Sequence, residues 1–373
     1  MAADQANTVF YHYPVFRLGR KLAFFFRKSV TTQSCFMALL SILLFLSCSG
    51  IDHTWLMNGK NTGLLEHPTI WAFFIIQIIS PVFLKKAIER LFTFLKENDI
   101  IDSKKELSGY LTLFNRQTSR QMNFSRFSFV FLSFIGLICF AWNSFQNQAP
   151  LKFLGFDFWD SFNHPFGYWL SRIYKLYLWV FFLPAIIHIH ISILFVLYKL
   201  LRDAAKDKFF VLRPYNQDEH AGVGVIIKIA INPPIPIFIL GSLSVLGAFF
   251  IHGHIGVTPI IGSGLLSLLF LLIYLIPVLQ LRKIIKAEKK RQLIEIATKQ
   301  NALYFELVKN AKSKVESEDL ENLNSLSTVF DQVKSISAWP YWKSIVKIVG
   351  VINIPVIITI GKSVWPMIRS KFL

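Results

Sequence analysis

The sequence has one place where a carboxylate, an imidazole and a guanidinium lie close together along the chain. Asp218 and His220 follow Arg213 and precede two glycines. An Asp–His pair can act as acid and base, whereas a glycine-containing turn beside an arginine can hold an anion. A solvated structural turn contains the same residue types. With Lys206 and Lys208 just upstream, the segment predicts an anion-binding site, and we expect no catalytic residue.

Four other histidines stand in pairs, two residues apart. His188 and His190 lie in an apolar segment, where a helix would point them roughly 200° apart, so they cannot chelate one metal ion together. We expect them either to form hydrogen bonds between helices or, for His188, to line a pore. His252 and His254 have no third ligand nearby. The three cysteines lie far apart, so we expect neither a metal site nor a cofactor.

Small polar residues interrupt the last two long apolar stretches. Conduction of ions requires a sufficiently polar path and a gate that can become wet. The candidate pore-lining residues, besides His188, are Ser242, Ser244, Ser263 and Ser267. Gly241 and Gly247 in the same region permit close contact between helices in lipid.

Apolar segments dominate the chain, with 53% hydrophobic residues and 37 phenylalanines. A membrane span needs roughly 20 mostly apolar residues. Six stretches are candidates: 34–51, 69–84, 127–147, 176–198, 235–252 and 258–280. None carries Asp, Glu, Lys or Arg in its middle. This pattern argues against a proton-driven transporter, an intramembrane aspartyl or zinc protease, and a voltage sensor.

Basic residues are distributed very unevenly between the segments that connect these stretches. Of the 40 lysines and arginines, 36 fall on one side if the N-terminus is cytoplasmic. Cytoplasmic loops retain Lys and Arg during insertion, so the pattern predicts an N-in, C-in protein with six spans. The net charge of +18 has two readings: attraction to anionic lipid, or a cytoplasmic surface that collects a polyanion such as a nucleotide.

The predicted fold is an all-α integral membrane protein of six transmembrane helices with a helical cytoplasmic C-terminal region. An apolar stripe at helical spacing indicates that span six continues past the membrane as a helix. The predicted parts are a basic aromatic cytoplasmic or interfacial lead-in (1–33), a membrane region (34–280) with cytoplasmic insertions (85–126 and 199–234), a basic helical region (281–345) and a re-entrant or interfacial helix with a basic tail (346–373).

The segment from Pro214 to Gly224 resembles a loop of certain uncharacterised bacterial multi-span membrane proteins, Pro-Leu-His-Pro-Asp-x-x-Gly-Gly-Leu-Gly. It shares Pro214, Asp218, Gly222 and Gly224 with that loop. It departs from the loop at Asn216, Gln217 and Ala221, and it covers 11 of 373 residues. That family implies a multi-pass membrane protein and no particular activity.

By architecture alone, the chain is similar to membrane effectors of bacterial anti-phage defence, including the channel component of Hailong-type systems. The resemblance implies a homo-oligomeric ion channel of the inner membrane, controlled by a cytoplasmic nucleotide or oligonucleotide and surrounded by membrane lipid. Two alternatives remain: a membrane anchor for a cytoplasmic protein partner, and an enzyme acting on lipid headgroups through Asp218 and His220.

Overall fold

Every regular element in the described part of the chain is a helix. A computed structural model describes residues 2–22, 29–56, 64, 68–97, 108–145, 163–207, 224–231, 257–309 and 317–337. In chain order the helices are α1 (Ala2–Phe10), α2 (Pro14–Leu22), α3 (Val30–Ile51), α4 (Pro68–Glu97), α5 (Ser108–Thr118), α6 (Asn123–Phe145), α7 (Pro165–Leu176), a π-helix (Tyr177–Phe182), α8 (Leu183–Asp207), α9 (Gly224–Ile231), α10 (Val257–Lys309) and α11 (Ser317–Ser335). The predicted all-α class is confirmed for these residues.

Three helices of the described chain are long and apolar enough to cross a membrane: Val30–Ile51, Asn123–Ala141 and Pro165–Lys206. Their surfaces are suited to contact with lipid, because they expose large apolar side chains. Phe127 on α6, for example, is 69% exposed. Apolar faces of this size in contact with water would be unusual for a soluble monomer. The chain thus has the features of a membrane protein, while the six spans and their orientation stay predictions.

Span four belongs to a longer helical rod than its apolar stretch indicated. Helix α7 begins at Pro165, where the missing amide proton is tolerated. It runs without a break through the π-helix into α8. Residues 165–175 lie between the predicted spans 127–147 and 176–198, where the N-in orientation predicts an outer loop. They form most of a regular helix instead and bring Arg172 into the rod. Proline at the first helical position was the available signal.

Two helices extend beyond the apolar stretches that the sequence marks as candidate spans two and six. Helix α4 extends 30 residues, past the end of its apolar stretch. Helix α10 extends 53 residues, and α11 packs back against it. Lys289 of α10 donates from Nζ to the carbonyl oxygens of Lys334 (2.6 Å) and Ile336 (2.9 Å). A lysine at these positions satisfies carbonyls that the end of α11 leaves without helical partners.

The aromatic lead-in contributes to the protein core. Phe10, Tyr13 and Phe16 are buried, with α1 packed on α4 and α2 packed on α3. The rings of Phe10 and Phe16 meet edge to face, 5.0 Å between centroids. We expected the rings of this segment to lie at headgroup depth. These three lie inside the helix bundle instead, because the neighbouring helices offer apolar surface on which they are fully buried.

Candidate functional site

A polar cluster lies buried among the apolar helices, and His188 of α8 is its centre. The His188 side chain is 0% exposed. The Tyr13 hydroxyl is 2.6 Å from its Nδ1 atom, and the Ser125 hydroxyl is 3.2 Å from its Nε2 atom. The three residues come from the lead-in, from α6 and from α8. We call Tyr13, Ser125 and His188 the histidine cluster.

The neighbours of His188 fix the tautomer of its ring. The Ser125 hydroxyl donates its proton to the carbonyl oxygen of Gln117, so its oxygen accepts from Nε2–H of His188. Nδ1 then carries a lone pair and accepts from the Tyr13 hydroxyl. Burial raises the pKa of Tyr13, which keeps that hydroxyl protonated. The result is a neutral imidazole with both nitrogens hydrogen-bonded, which is what a buried polar ring requires.

Arg120 closes the histidine cluster on one side. Its guanidinium lies over the rings of Phe129 (4.8 Å) and Tyr13 (5.8 Å). Its Nη2 atom donates to the carbonyl oxygen of His12 at 2.9 Å. Arg120 itself has a positive φ of 60°, in the turn between α5 and α6, where Arg126 donates to its carbonyl oxygen. Arg120 thus connects the α5–α6 turn to the lead-in through these contacts.

An open cleft of about 470 Å³ lies beside this contact. Its lining residues are Asp4, Asn7, Thr8, Tyr11, His12, Arg17 and Arg20. Arg17 donates from Nε to the carbonyl oxygen of Tyr11 at 2.6 Å, and the Arg20 guanidinium lies 4.6 Å from the centroid of the Tyr11 ring. We call this the lead-in cleft.

The charges around the lead-in cleft favour an anion. Burial is the main cause of the lowered pKa of His12, and the positive charges of Arg17 and Arg120 lower it further. Guanidinium groups bind phosphate and carboxylate oxygens in pairs of hydrogen bonds. His12 is followed directly by Tyr13, whose hydroxyl contacts His188. A ligand in the lead-in cleft would therefore touch the residue next to the histidine cluster.

A second polar group lies between α3, α4 and the π-helix. Gln77 accepts from the Tyr174 hydroxyl at 3.0 Å and donates to the Tyr177 oxygen at 3.2 Å. Beside it is a cavity of about 10 Å³, lined in part by Gln33, Ser34 and Gln77. A polar cavity of about this volume has room for roughly one water molecule. Polar side chains from α3, α4, α7 and the π-helix thus meet inside the bundle.

The structure locates only some of the residues that the sequence singled out. Lys206 is exposed near the end of α8. The other predicted ligand residues (Lys208, Arg213, Asp218 and His220) and four span-five residues (Gly241, Ser242, Ser244 and Gly247) lie outside the described residues. Ser263 and Ser267 are on α10, with side chains outside the described set. The pore-lining role of His188 stays a prediction, although its hydrogen bonds between helices are present.

The lead-in cleft and the partners of His188 were not among the residues that the sequence singled out. Arg17 and Arg20 entered only as charges that orient the chain. The available signal was local, since Tyr11 and Tyr13 are followed by Arg17 and Arg20, four to nine positions away. Aromatic rings interleaved with arginines are typical of surfaces that bind anionic groups.

Comparisons with protein-family models, with curated proteins and with solved structures find no match to this chain. No relative therefore supplies an activity or a set of site residues. The function must be inferred from the chain's own geometry and charge.

Proposed function

We propose that this protein is an oligomeric ion channel of the bacterial inner membrane, an effector of anti-phage defence whose state is controlled by a cytoplasmic nucleotide or oligonucleotide. Two features support it: membrane-type helices with polar groups between them, and a basic cleft on the lead-in. The predicted N-in orientation would put that cleft in the cytoplasm.

One observation carries the proposal: the hydrogen bond between Tyr13 and His188, 175 residues apart in sequence. It joins the lead-in cleft to α8, which is part of a candidate membrane span. A ligand that binds His12 or Arg17 displaces the segment that contains Tyr13. The displacement is transmitted to the candidate span through the hydrogen bond between Tyr13 and His188. A ligand shifts a conformational equilibrium only through such differential contacts with its two states.

The helices provide a rigid route from the cleft to the rest of the bundle. Helix α8 packs on α10, and α10 runs 53 residues without a break. Displacement of rigid helices is a common mechanism of switching. Under this proposal the conducting path is lined by the hydroxyls of Ser242, Ser244, Ser263 and Ser267.

The proposal is tested by ion flux from liposomes that contain the purified protein. A panel of nucleoside triphosphates, cyclic dinucleotides and short oligonucleotides is added to the face bearing the N-terminus. We expect flux that depends on one class of anion and weakens steeply as salt rises. Arg20→Gln should weaken the response, whereas Lys290→Gln removes an exposed charge from α10 and should not. Absence of flux with every member of the panel would contradict channel function.

An anchor or partner subunit is the second candidate, because α10 has an apolar face that the described residues leave exposed. Ile294, Tyr304, Phe305 and Val308 are exposed, Phe305 by 69%. Exposed apolar patches on a helix often mark a protein contact. A stoichiometric cytoplasmic partner that copurifies with the wild type and is lost from Phe305→Glu would favour this function. A protein that purifies alone, with or without the substitution, would count against it.

A further inference from the structure

Arg172 of α7 is a buried cation in need of a counter-ion. Its side chain is only 8% exposed. Within the described part of the chain, none of its three nitrogens has a hydrogen-bond partner. An arginine cannot lose its proton to escape burial, and a buried charge without a partner is strongly destabilising. An unsatisfied group of this kind is a common sign of a ligand that the site holds.

The contact that Arg172 does make leaves its donors free. The guanidinium carbon lies 4.8 Å from the centroid of the Tyr168 ring, one helical turn away. Such a cation–π contact covers one face of the planar group. The N–H bonds point outward within the plane, where they match two oxygens of a phosphate or carboxylate group. The edge of Arg172 that carries these N–H groups is buried and unpaired, and its shape suits an oxyanion.

The carboxylate of Asp52, at the end of α3, binds another part of α7. It accepts from the backbone amide of Gly167 at 2.7 Å. It thereby caps the first turn of α7. No ion pair between Asp52 and Arg172 occurs among the described residues. The charge of Arg172 is left for an external group to neutralise.

The surroundings of Arg172 favour a phosphate that belongs to lipid. On the neighbouring face of α7, Trp169 is 64% exposed and Ile173 is also exposed. Exposed tryptophan next to an apolar helix is typical of headgroup depth in a membrane. We propose that Arg172 forms a phosphate-binding site at the outer end of the rod, taking either the headgroup of a phospholipid or free phosphate.

The test measures the thermal unfolding of the delipidated full-length protein in a neutral detergent. Three additions are compared: dioleoylphosphatidylglycerol micelles, inorganic phosphate, and dioleoylglycerol, which lacks the phosphate. We expect the wild type to unfold at higher temperature with phosphatidylglycerol and to be unchanged by dioleoylglycerol. Stabilisation by inorganic phosphate as well would identify free phosphate as a ligand and support the same site. A wild type that responds to neither phosphate source overturns the proposal.

Substitutions assign the effect to Arg172. Arg172→Lys keeps the charge but loses the planar fork, so the affinity for phosphatidylglycerol should fall by about tenfold or more. Arg172→Met removes the buried charge, so without lipid it should unfold at or above the wild-type temperature, and lipid should not raise that temperature. Lys175→Gln, one turn on, should respond like the wild type. Equal lipid stabilisation of Arg172→Met and the wild type overturns the proposal, even if Arg172→Lys fails to fold.

A counter-ion from the chain itself gives a different result. Asp157 and Asp160 precede α7 in sequence and lie outside the described residues. If one of them neutralises Arg172, the wild type is indifferent to both phosphate sources. Asp157→Asn or Asp160→Asn then destabilises the protein, and that outcome also overturns the phosphate site.

Discussion

Tyr13 and His188 define the mechanism at the scale of single residues. Both ring nitrogens of His188 are hydrogen-bonded, and the direction of each bond follows from the Ser125 hydroxyl, which donates elsewhere. Such a network specifies one arrangement of three segments, because an unsatisfied polar atom in an apolar interior costs more than the hydrogen bond contributes. The docked lead-in is therefore a defined arrangement, which the proposed ligand would have to displace.

Tyr13→Phe should destabilise the protein by about 1–3 kcal/mol. The substitution keeps the ring and removes the hydroxyl, so Nδ1 of His188 is left buried without a donor. Thermal unfolding of the purified protein in detergent measures the effect. Tyr304→Phe is the matched control, because Tyr304 is 56% exposed on α10 and should change little. Equal stability of both variants and the wild type would show that the hydrogen bond contributes nothing.

Anion binding in the lead-in cleft should strengthen as the pH falls. Burial and the charges of Arg17 and Arg120 hold the pKa of His12 below 6.5. A bound anion offsets those charges and raises that pKa, so binding takes up a proton. Affinity for ATP as a probe should therefore rise as the pH is lowered from about 6.5, as measured by calorimetric titration.

Two variants separate His12 from the other titratable group of the cleft. His12→Gln should remove the part of the pH dependence that comes from His12, leaving only the part due to titration of the γ-phosphate of ATP itself. Asp4→Asn should keep the part that comes from His12. A slope of the same size in His12→Gln, or its loss in Asp4→Asn alone, would assign the effect to another group.

The central residue contact could not be predicted from sequence. His188 was recognised as either a hydrogen-bonding or a pore residue, but 175 positions separate it from Tyr13. No local pattern encodes such a pairing, since periodicity reports only which face of one helix is apolar. The predicted ligand residues at 213–220 lie outside the described residues, so they stay predictions.

At the scale of elements, the π-helix is the unusual feature. A π-helix inserts an extra residue per turn and often occurs at functional positions. This one lies inside the rod of α7 and α8 and packs against α6. At the contact, a Cβ atom on Gly136 would collide with the carbonyl oxygen of Trp179 and lie 2.8 Å from its carbon. Glycine is therefore required for the two backbones to approach.

Gly136→Ala should destabilise the protein by about 1–3 kcal/mol, since the added methyl group forces α6 and the π-helix apart. Gly109→Ala is the matched control, because a Cβ at Gly109 of α5 meets nothing within 4 Å. Alanine favours helix more than glycine, so that variant should be as stable as the wild type or slightly more stable. The measurement is the unfolding temperature of each variant in detergent. Unchanged stability of Gly136→Ala would contradict this packing.

Elements were predictable where their signal is local. The apolar stripe that follows the sixth apolar stretch predicted that its helix continues beyond residue 280, because side-chain direction in a helix repeats every 3.6 residues. The beginning of α7 was missed because its aromatic and polar residues suit an interfacial loop equally well. Arg172 was accordingly counted as an outer-loop charge, although its side chain is buried.

For the whole molecule, the division of basic residues predicts the orientation. In a background with Cys35, Cys48 and Cys139 replaced by alanine, Lys60→Cys should react with a membrane-impermeant maleimide in intact spheroplasts. Lys290→Cys should react only after the membrane is permeabilised, since cytoplasmic segments retain basic residues. Labelling of Lys290→Cys in intact spheroplasts would reverse the orientation and remove the lead-in cleft from the cytoplasm.

The central claim is that a cytoplasmic anion controls conduction through the contact between Tyr13 and His188. Single-channel recording in planar bilayers tests it most directly, with the active anion of the flux panel applied to the face bearing the N-terminus. The account predicts ligand-dependent openings for the wild type and for Tyr304→Phe, and openings that no longer depend on ligand for Tyr13→Phe. Absence of current from the wild type under every condition, or an unchanged ligand response in Tyr13→Phe, would contradict it.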